Sequence, residues 1–221
     1  MTIEGNLVDL GLRGYNETWN LQRKLLDLRA RQIIPDTLIL VEHPHVFTVG
    51  KAVPGEVQNM IGAVPVFRIE RGGQWTYHGP GQLVGYPILD LNSRNRDIHS
   101  FLRNIEESLI RTLGDFRITG ERQKQTGVWV GNKKIASIGA AIRNWVSFHG
   151  FALNVNTDLN YFQMISPCGF PGSTMTSMKA LLSNEVDFLA VKIRVIRYIE
   201  GAFDLKFSEL KQETIPLTAG P

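Results

Sequence analysis

The stretch from Asp97 to Leu113 sets Ile98, Phe101, Leu102, Ile105, Leu109, Ile110 and Leu113 at helical spacing. Such a helix carries one continuous apolar stripe, and the stripe leaves water only when another element covers it. Gly114 follows where a C′ glycine would end the helix. Much of the remaining chain reads as strand: Thr37–Glu42, Val46–Val49, Val64–Ile69, Gln82–Leu89, Phe116–Thr119, Gly127–Val130, Lys133–Ile142 and Val146–Asn156. Residues 50–62 read as a loop. In the last of these strands Val146 and Phe148 fall on even positions, whereas Phe151, Leu153 and Val155 fall on odd ones. A bulge at Gly150 would reconcile the two phases. Two more helices are expected. One runs from Asn16 to about Gln32 on Leu21, Leu25 and Leu28, with Trp19 and Leu26 on an adjoining stripe and Pro35 beyond it. The other spans Val186 to Ile199, with Val186, Leu189, Ile193, Ile196 and Ile199 facing inward. The expected architecture is a single α+β domain over residues 1–211, a mixed sheet packed by helices. The segment 212–221 reads as a loosely held tail.

A chain of 221 residues can bury a self-sufficient core. Its formal charge of +3 comes without a clustered Lys/Arg run, which argues against a nucleic-acid partner. The amino terminus lacks the basic and apolar regions of a signal peptide, and no apolar run approaches membrane-spanning length. A lone cysteine, Cys168, excludes an internal disulfide and fits a reducing cytoplasm.

The run Arg71-Gly72-Gly73-Gln74-Trp75-Thr76-Tyr77-His78-Gly79-Pro80-Gly81-Gln82 combines four glycines with long polar side chains. A plain turn needs one or two glycines. Four of them let a ligand lie against the backbone, and Arg, Gln, Tyr and His supply groups to converge on it. The run reads as a functional loop or irregular hairpin between strands.

Cys168 stands in Ser166-Pro167-Cys168-Gly169-Phe170-Pro171-Gly172. A single cysteine is commonly a small buried hydrophobe. Pro-Cys-Gly is unlike a core strand, however, and would expose a thiol beside free backbone N–H groups. A nucleophilic thiol needs a base or a cation, and His78, His149, Lys133 or Lys134 could supply one. Strand alternation sends Lys133 and Lys134 to opposite faces, so at most one enters a pocket. Spacing does not choose between a desolvated lysine and two solvated ones. His43, His45, His78, His99 and His149 form no metal-ligating pattern, and no metal site is expected.

Arg71 to Ile88, Gly127-Val128-Trp129-Val130, Lys134-Ile135-Ala136-Ser137-Ile138-Gly139, His149-Gly150-Phe151-Ala152-Leu153-Asn154 and Pro167-Cys168-Gly169 together resemble the octanoyltransferases of lipoate biosynthesis. The likeness runs in one order from about Glu42 to Met178. It implies the fold of the biotin and lipoate protein ligase catalytic domain. It also implies transfer of an octanoyl chain from acyl carrier protein to a lysine, through an acyl-cysteine. The acceptors it implies are the lipoyl domains of 2-oxoacid dehydrogenases and the H protein of glycine cleavage. By the same resemblance Cys168 is the nucleophile and Lys134 its activator. Arg71, Gly72, Gly73, Gln74, Trp75, Thr76, Tyr77 and His78 then line the acyl pocket with Ser137, Ile138, Gly139, Gly150, Phe151 and Ala152. A thioester already carries the energy for amide formation, so no cofactor and no ATP are expected. The rival readings are an ATP-dependent lipoate or biotin ligase, which needs no cysteine, an amidotransferase between two lipoyl carriers, and a non-catalytic acyl or carrier-binding module.

Overall fold

The computed structural model describes residues 2–167 and 169–211. Cys168 and the tail expected at 212–221 lie outside the described residues. In chain order the elements are β1 (Ile3–Leu12), α1 (Tyr15–Ala30), β2 (Thr37–Glu42), β3 (Val46–Val49), β4 (Met60–Ile61), β5 (Val64–Arg68), β6 (Trp75–His78) and β7 (Gln82–Ile88). They continue with α2 (Ile98–Asp115), β8 (Gly127–Val130), β9 (Lys133–Arg143), β10 (Val146–Asn154), α3 (Met178–Leu182), α4 (Phe188–Phe203) and β11 (Leu205–Glu209).

A seven-stranded sheet has the order β11-β1-β2-β7-β10-β9-β8. Strand β1 is parallel to β11 and β2, and the remaining neighbours are antiparallel. A smaller sheet, β4-β5-β3-β6, stands beside it. The stripe of α2 packs with α4 on one face of the large sheet, where Leu38, Leu83, Ile105, Leu109, Leu153 and Val195 share one core. Helix α1 covers the other face with Leu25, Leu26 and Leu28 against Ile39, Val84 and Ile88. The result is a mixed α+β domain, as the strand and helix patterns imply.

Four expectations need correction. Strand β10 has no bulge at Gly150, because its register with β9 runs unbroken from Val146–Arg143 to Leu153–Ala136. Both of its faces are buried: Val146, Phe148 and Ala152 join the α1 core, and Phe151 and Leu153 join the α2/α4 core. Apolar residues on both parities therefore need no change of phase. Gly114 lies inside α2, which runs on to Asp115, and Arg117 rather than a glycine takes the positive φ beyond it. Residues 116–119 form no strand; their backbone bonds return to the helix end, Ile118 N–H donating to Leu113 O at 3.0 Å. On α4 the inward residues are Val191, Val195, Ile199 and Phe203, while Leu189 and Ile193 are 62% and 49% exposed. Apolar residues ring most of that helix, so its sequence offers two usable stripes, and packing on α2 selects one. Strands β1 and β11 carry little alternation signal, and they form by pairing the two ends of the described chain.

Among the described residues no helix is long and apolar enough to cross a membrane.

Candidate active site

Two cross-strand pairs of small residues create a cavity between the large sheet and α1. Ser137 of β9 pairs with Ala152 of β10, and Gly139 pairs with Gly150, all on the face turned toward α1. Directly opposed residues share a face, so these four cut a trough where full-sized side chains would otherwise meet. Gly150 is obligatory, since a Cβ there would fall 2.2 Å from Gly85 O. Val84 and Tyr86 of β7 continue the floor, and Ile69, Arg71, Gly72, Gly73, Thr76 and His78 form the roof. Tyr15 of α1 closes one side, its ring stacked 5.9 Å from that of His78. The cavity encloses about 460 Å³ of space free of atoms, part of it open to solvent.

Of the residues expected to line a pocket, the structure brings together Arg71, Gly72, Gly73, Thr76, His78, Ser137, Ile138, Gly139, Gly150, Phe151 and Ala152. Gln74, Trp75 and Tyr77 do not line it. The middle of the glycine-rich run is strand β6, paired with β3, so alternate residues face opposite ways. Thr76 and His78 face the trough. Tyr77 is buried on the far side, donating its hydroxyl to or accepting from His45 Nδ1 at 2.8 Å and stacking on Tyr161. Sequence reading missed Tyr15, Ile69, Val84 and Tyr86; the alternation of β7 could have flagged the last two.

Arg71 is buried, and its guanidinium holds the roof together. It donates to Thr48 O and Gln74 O at 2.9 and 2.8 Å, and to Gly72 O at 2.9 Å. His78 is fixed by a chain of amides. Asn154 Nδ2 donates to Thr176 O, Gln82 Nε2 donates to Asn154 Oδ1, and Gln82 Oε1 accepts from His78 Nδ1 at 2.8 Å. This leaves Nε2 of His78 as an acceptor. Burial, reinforced by His43, lowers the His78 pKa to about 3. Burial likewise lowers His43 to about 4, and His149 to about 4 against the pull of Glu70. His78 and His149 thus line the trough as neutral imidazoles near pH 7, with His43 packed behind His78.

His149 also departs from its strand. Its φ of +54° belongs to the left-handed region, which costs a non-glycine residue roughly 1–3 kcal/mol. Its Nε2 stands 3.4 Å from Glu70 Oε2, which accepts from Trp19 Nε1 at 3.0 Å.

Lys133 and Lys134 separate as alternation requires. Lys133 is exposed, its ammonium donating to Ser173 O at 2.5 Å. Lys134 is 2% exposed and donates to Thr126 O at 2.9 Å, with Nζ 5.3 Å from the centre of the Trp129 ring. The reading of two solvated lysines is overturned. Gly127 makes room for this side chain, since a Cβ there would lie 2.5 Å from Lys134 Cε. The chain on either side of Cys168 is tied down nearby. Pro167 bridges to Trp75, and Gly169, at φ +81°, sits beside the Gln74 amide. Met175 bridges to Lys134, and Thr176 N–H donates to Lys134 O at 2.9 Å.

Residues 14–200 match the model of the lipoyl protein ligase A/B catalytic domain. An octanoyltransferase of Geotalea uraniireducens (strain Rf4) is 46% identical over 201 residues, covering 90% of this chain and 93% of the relative. One of Syntrophobacter fumaroxidans (strain DSM 10017 / MPOB) is 42% identical, with 92% of each chain covered. Among solved structures, lipoate-protein ligase A bound with ATP superposes with a TM-score of 0.72 at 18% identity, covering 96% of this chain and 89% of that one. A biotin protein ligase from Aquifex aeolicus gives 0.57 at 12% identity, covering 89% and 69%. At those identities the structural likeness speaks for the fold alone.

Proposed function

The chain belongs to the lipoyl protein ligase A/B catalytic domain family and, within it, to the octanoyltransferases, and on that footing we propose that it moves an octanoyl group from acyl carrier protein to a lysine of lipoyl carrier domains. It is an acyltransferase. The acceptors are the lipoyl domains of 2-oxoacid dehydrogenases and the glycine cleavage H protein, and the reaction takes place in the cytoplasm. The Cys168 thiolate attacks the thioester carbonyl, the carrier's thiol leaves, and the octanoyl group rests on sulfur. The acceptor amine then attacks this second thioester, sulfur departs, and an amide remains. Lys134 serves as the proton-transfer group or as the ammonium partner of the thiolate. Backbone N–H groups of the glycine-rich segments hold the tetrahedral oxyanion.

The observation that carries this reading is the burial of Lys134 beside the segment that bears Cys168. A desolvated ammonium exchanges its proton more readily and stabilises a nearby thiolate more strongly than a solvated one. The trough supports the substrate class, since Ser137, Gly139, Gly150, Ala152 and Val84 give its floor no charge and its two lining histidines, His78 and His149, are neutral.

Intact mass tests it. The protein mixed with octanoyl-acyl carrier protein, without acceptor, gains one octanoyl group, and Cys168→Ala does not. Transfer to a lipoyl domain then proceeds with EDTA present and ATP absent. A requirement for ATP and free octanoate would replace this reading with that of a ligase.

A further inference from the structure

Beyond the small-residue pairs, the trough ends against a side chain that the strand had to distort to put there. By alternation His149 belongs with Phe151 and Leu153, on the face covered by α2 and α4. Its positive φ brings the ring to the other face, where it lines the cavity. There backbone bonding and packing hold it, and among the described residues neither ring nitrogen has a hydrogen-bond partner. The backbone N–H of His149 donates to Gln22 Oε1 at 2.8 Å. Its Nε2 meets Glu70, Glu70 is fixed by Trp19, and the Phe148 ring lies 4.7 Å away. The ring is neutral because burial outweighs the neighbouring carboxylate. An uncharged, fixed, buried ring is what an apolar chain end can meet without desolvating an ion.

The spacing of the strands gives the trough a length. The pairs Ala152–Ser137, Phe151–Ile138, Gly150–Gly139 and His149–Ala140 succeed one another along β10 and β9. From the first pair to His149 is three residue steps, about 10 Å of strand. An extended eight-carbon acyl chain measures ~9 Å from carbonyl carbon to terminal methyl, given C–C bonds of about 1.5 Å. The roof runs the same way. Gln74 stands beside Gly169, Gly72 N–H donates to Ala140 O at 3.2 Å, and Glu70 reaches His149.

We propose that His149, positioned by Glu70, Trp19 and Gln22, is the end stop that sets the acyl chain length this protein accepts, with Gly139 keeping the middle of the slot open. This rests on the reading of the trough as an acyl slot. It assigns specificity to His149, not chemistry. The structural reason for Gly139 is direct: a Cβ there would lie 3.2 Å from Arg71 Cδ and 3.3 Å from Gly72 O, spanning floor to roof.

The test compares the full-length protein with His149→Ala, His149→Asn and Gly139→Ala. Asparagine tolerates the left-handed backbone better than most residues, so it shortens the side chain while sparing the fold. Binding of straight-chain alkanamides of four to fourteen carbons is read by calorimetry, and transfer from carrier-bound acyl thioesters of the same lengths is read by mass. The wild type should bind and transfer eight carbons best. Either His149 variant should move both optima to ten to twelve carbons and raise the twelve-to-eight ratio at least tenfold. Each methylene newly admitted is worth about fourfold in affinity. Gly139→Ala should move both optima to six carbons or fewer. An optimum that stays at eight carbons in both His149 variants overturns the end stop, as does a wild type that binds no alkanamide or binds all lengths alike. A wild type that binds with an optimum at eight carbons, shifted in the variants, but transfers nothing would keep the end stop and overturn the acyl-transfer reading.

Discussion

The two faces of β9 and β10 are built from alternate residues of the same strands, and they do opposite things. Toward α2 and α4 the strands present Ala136, Ile138, Phe151 and Leu153, which pack into a continuous core. Toward α1 the same stretch presents Ser137, Gly139, Gly150 and Ala152, which leave a trough. One face removes apolar area from water at about 25 cal/mol per Å². The other forgoes that gain to keep a slot open. Stability and ligand recognition therefore divide mainly by parity along a single hairpin, with Ile138 and Phe151 touching both core and trough.

The largest effect should come from the filled face. Leu153→Ala creates a cavity in the α2/α4 core, where it is fully buried, and should lose roughly 2–5 kcal/mol of stability. Urea unfolding measures this, and the chain-length profile of the folded protein should be unchanged. A shifted profile would mean that the two faces are not independent.

Lys134 comes next. Its replacement by Ala should slow acyl-enzyme formation by at least ~100-fold, the lower range for a positioned proton-transfer group. Lys133→Ala, removing an exposed ammonium, should stay within about twofold of wild type. Equal losses in the two variants would break the distinction that burial draws between neighbouring lysines. Lys134→Arg keeps the charge but cannot release a proton, so it separates thiolate support from proton transfer.

Acid should expose the histidines of the trough face. His43, His78 and His149 have folded-state pKa values lowered to about 4, 3 and 4, below the ordinary 6.5. The unfolded chain then binds protons first as pH falls. Their contribution is complete above about pH 6.5 and is lost on acidification toward pH 4 and below. Each histidine adds a slope of up to ~1.4 kcal/mol per pH unit within that window. Melting temperature measured from pH 7.5 to 4.5 should fall accordingly, and His43→Gln should flatten the curve. A flat wild-type curve would contradict neutral burial.

The smallest stability change should come from filling the slot. Ser137 is half-buried on the trough floor, and Ser137→Val should alter stability by no more than ~0.5 kcal/mol. Octanoyl transfer should fall about tenfold, because two methyl groups occupy acyl space. Unchanged transfer would remove Ser137 from the slot.

Much of this was legible in the residues. Strand β2 has the bounds that its apolar run suggests, and Asp97 caps α2, accepting from Ser100 N–H at 2.9 Å. The glycine content of residues 71–82 marked the roof of the trough, whereas the small residues of its floor, Ser137, Gly139, Gly150 and Ala152, were indicated only by the family resemblance. Two kinds of signal misled. Apolar residues at Leu189 and Ile193 fit a helical stripe that the fold leaves in water. The glycine-rich run read as a functional loop or irregular hairpin, and its centre pairs with β3 as β6, which put Tyr77 outside the trough.

By itself the sequence determined what local geometry controls: the helix and strand periods, the opposition of Lys133 to Lys134, and the positions where a Cβ is missing. These depend on backbone dihedrals and nearest neighbours, which a short stretch of chain carries with it. Only the tertiary structure decided which stripe of α4 is buried, that both faces of β10 are covered, that Lys134 is desolvated and that His149 leaves its own face to close the trough. Each of those depends on groups far away in sequence, such as Gln22 and Glu70 around His149 or Thr126 and Met175 around Lys134. Burial and desolvation are properties of what surrounds a residue, and the surroundings exist only once the chain has folded.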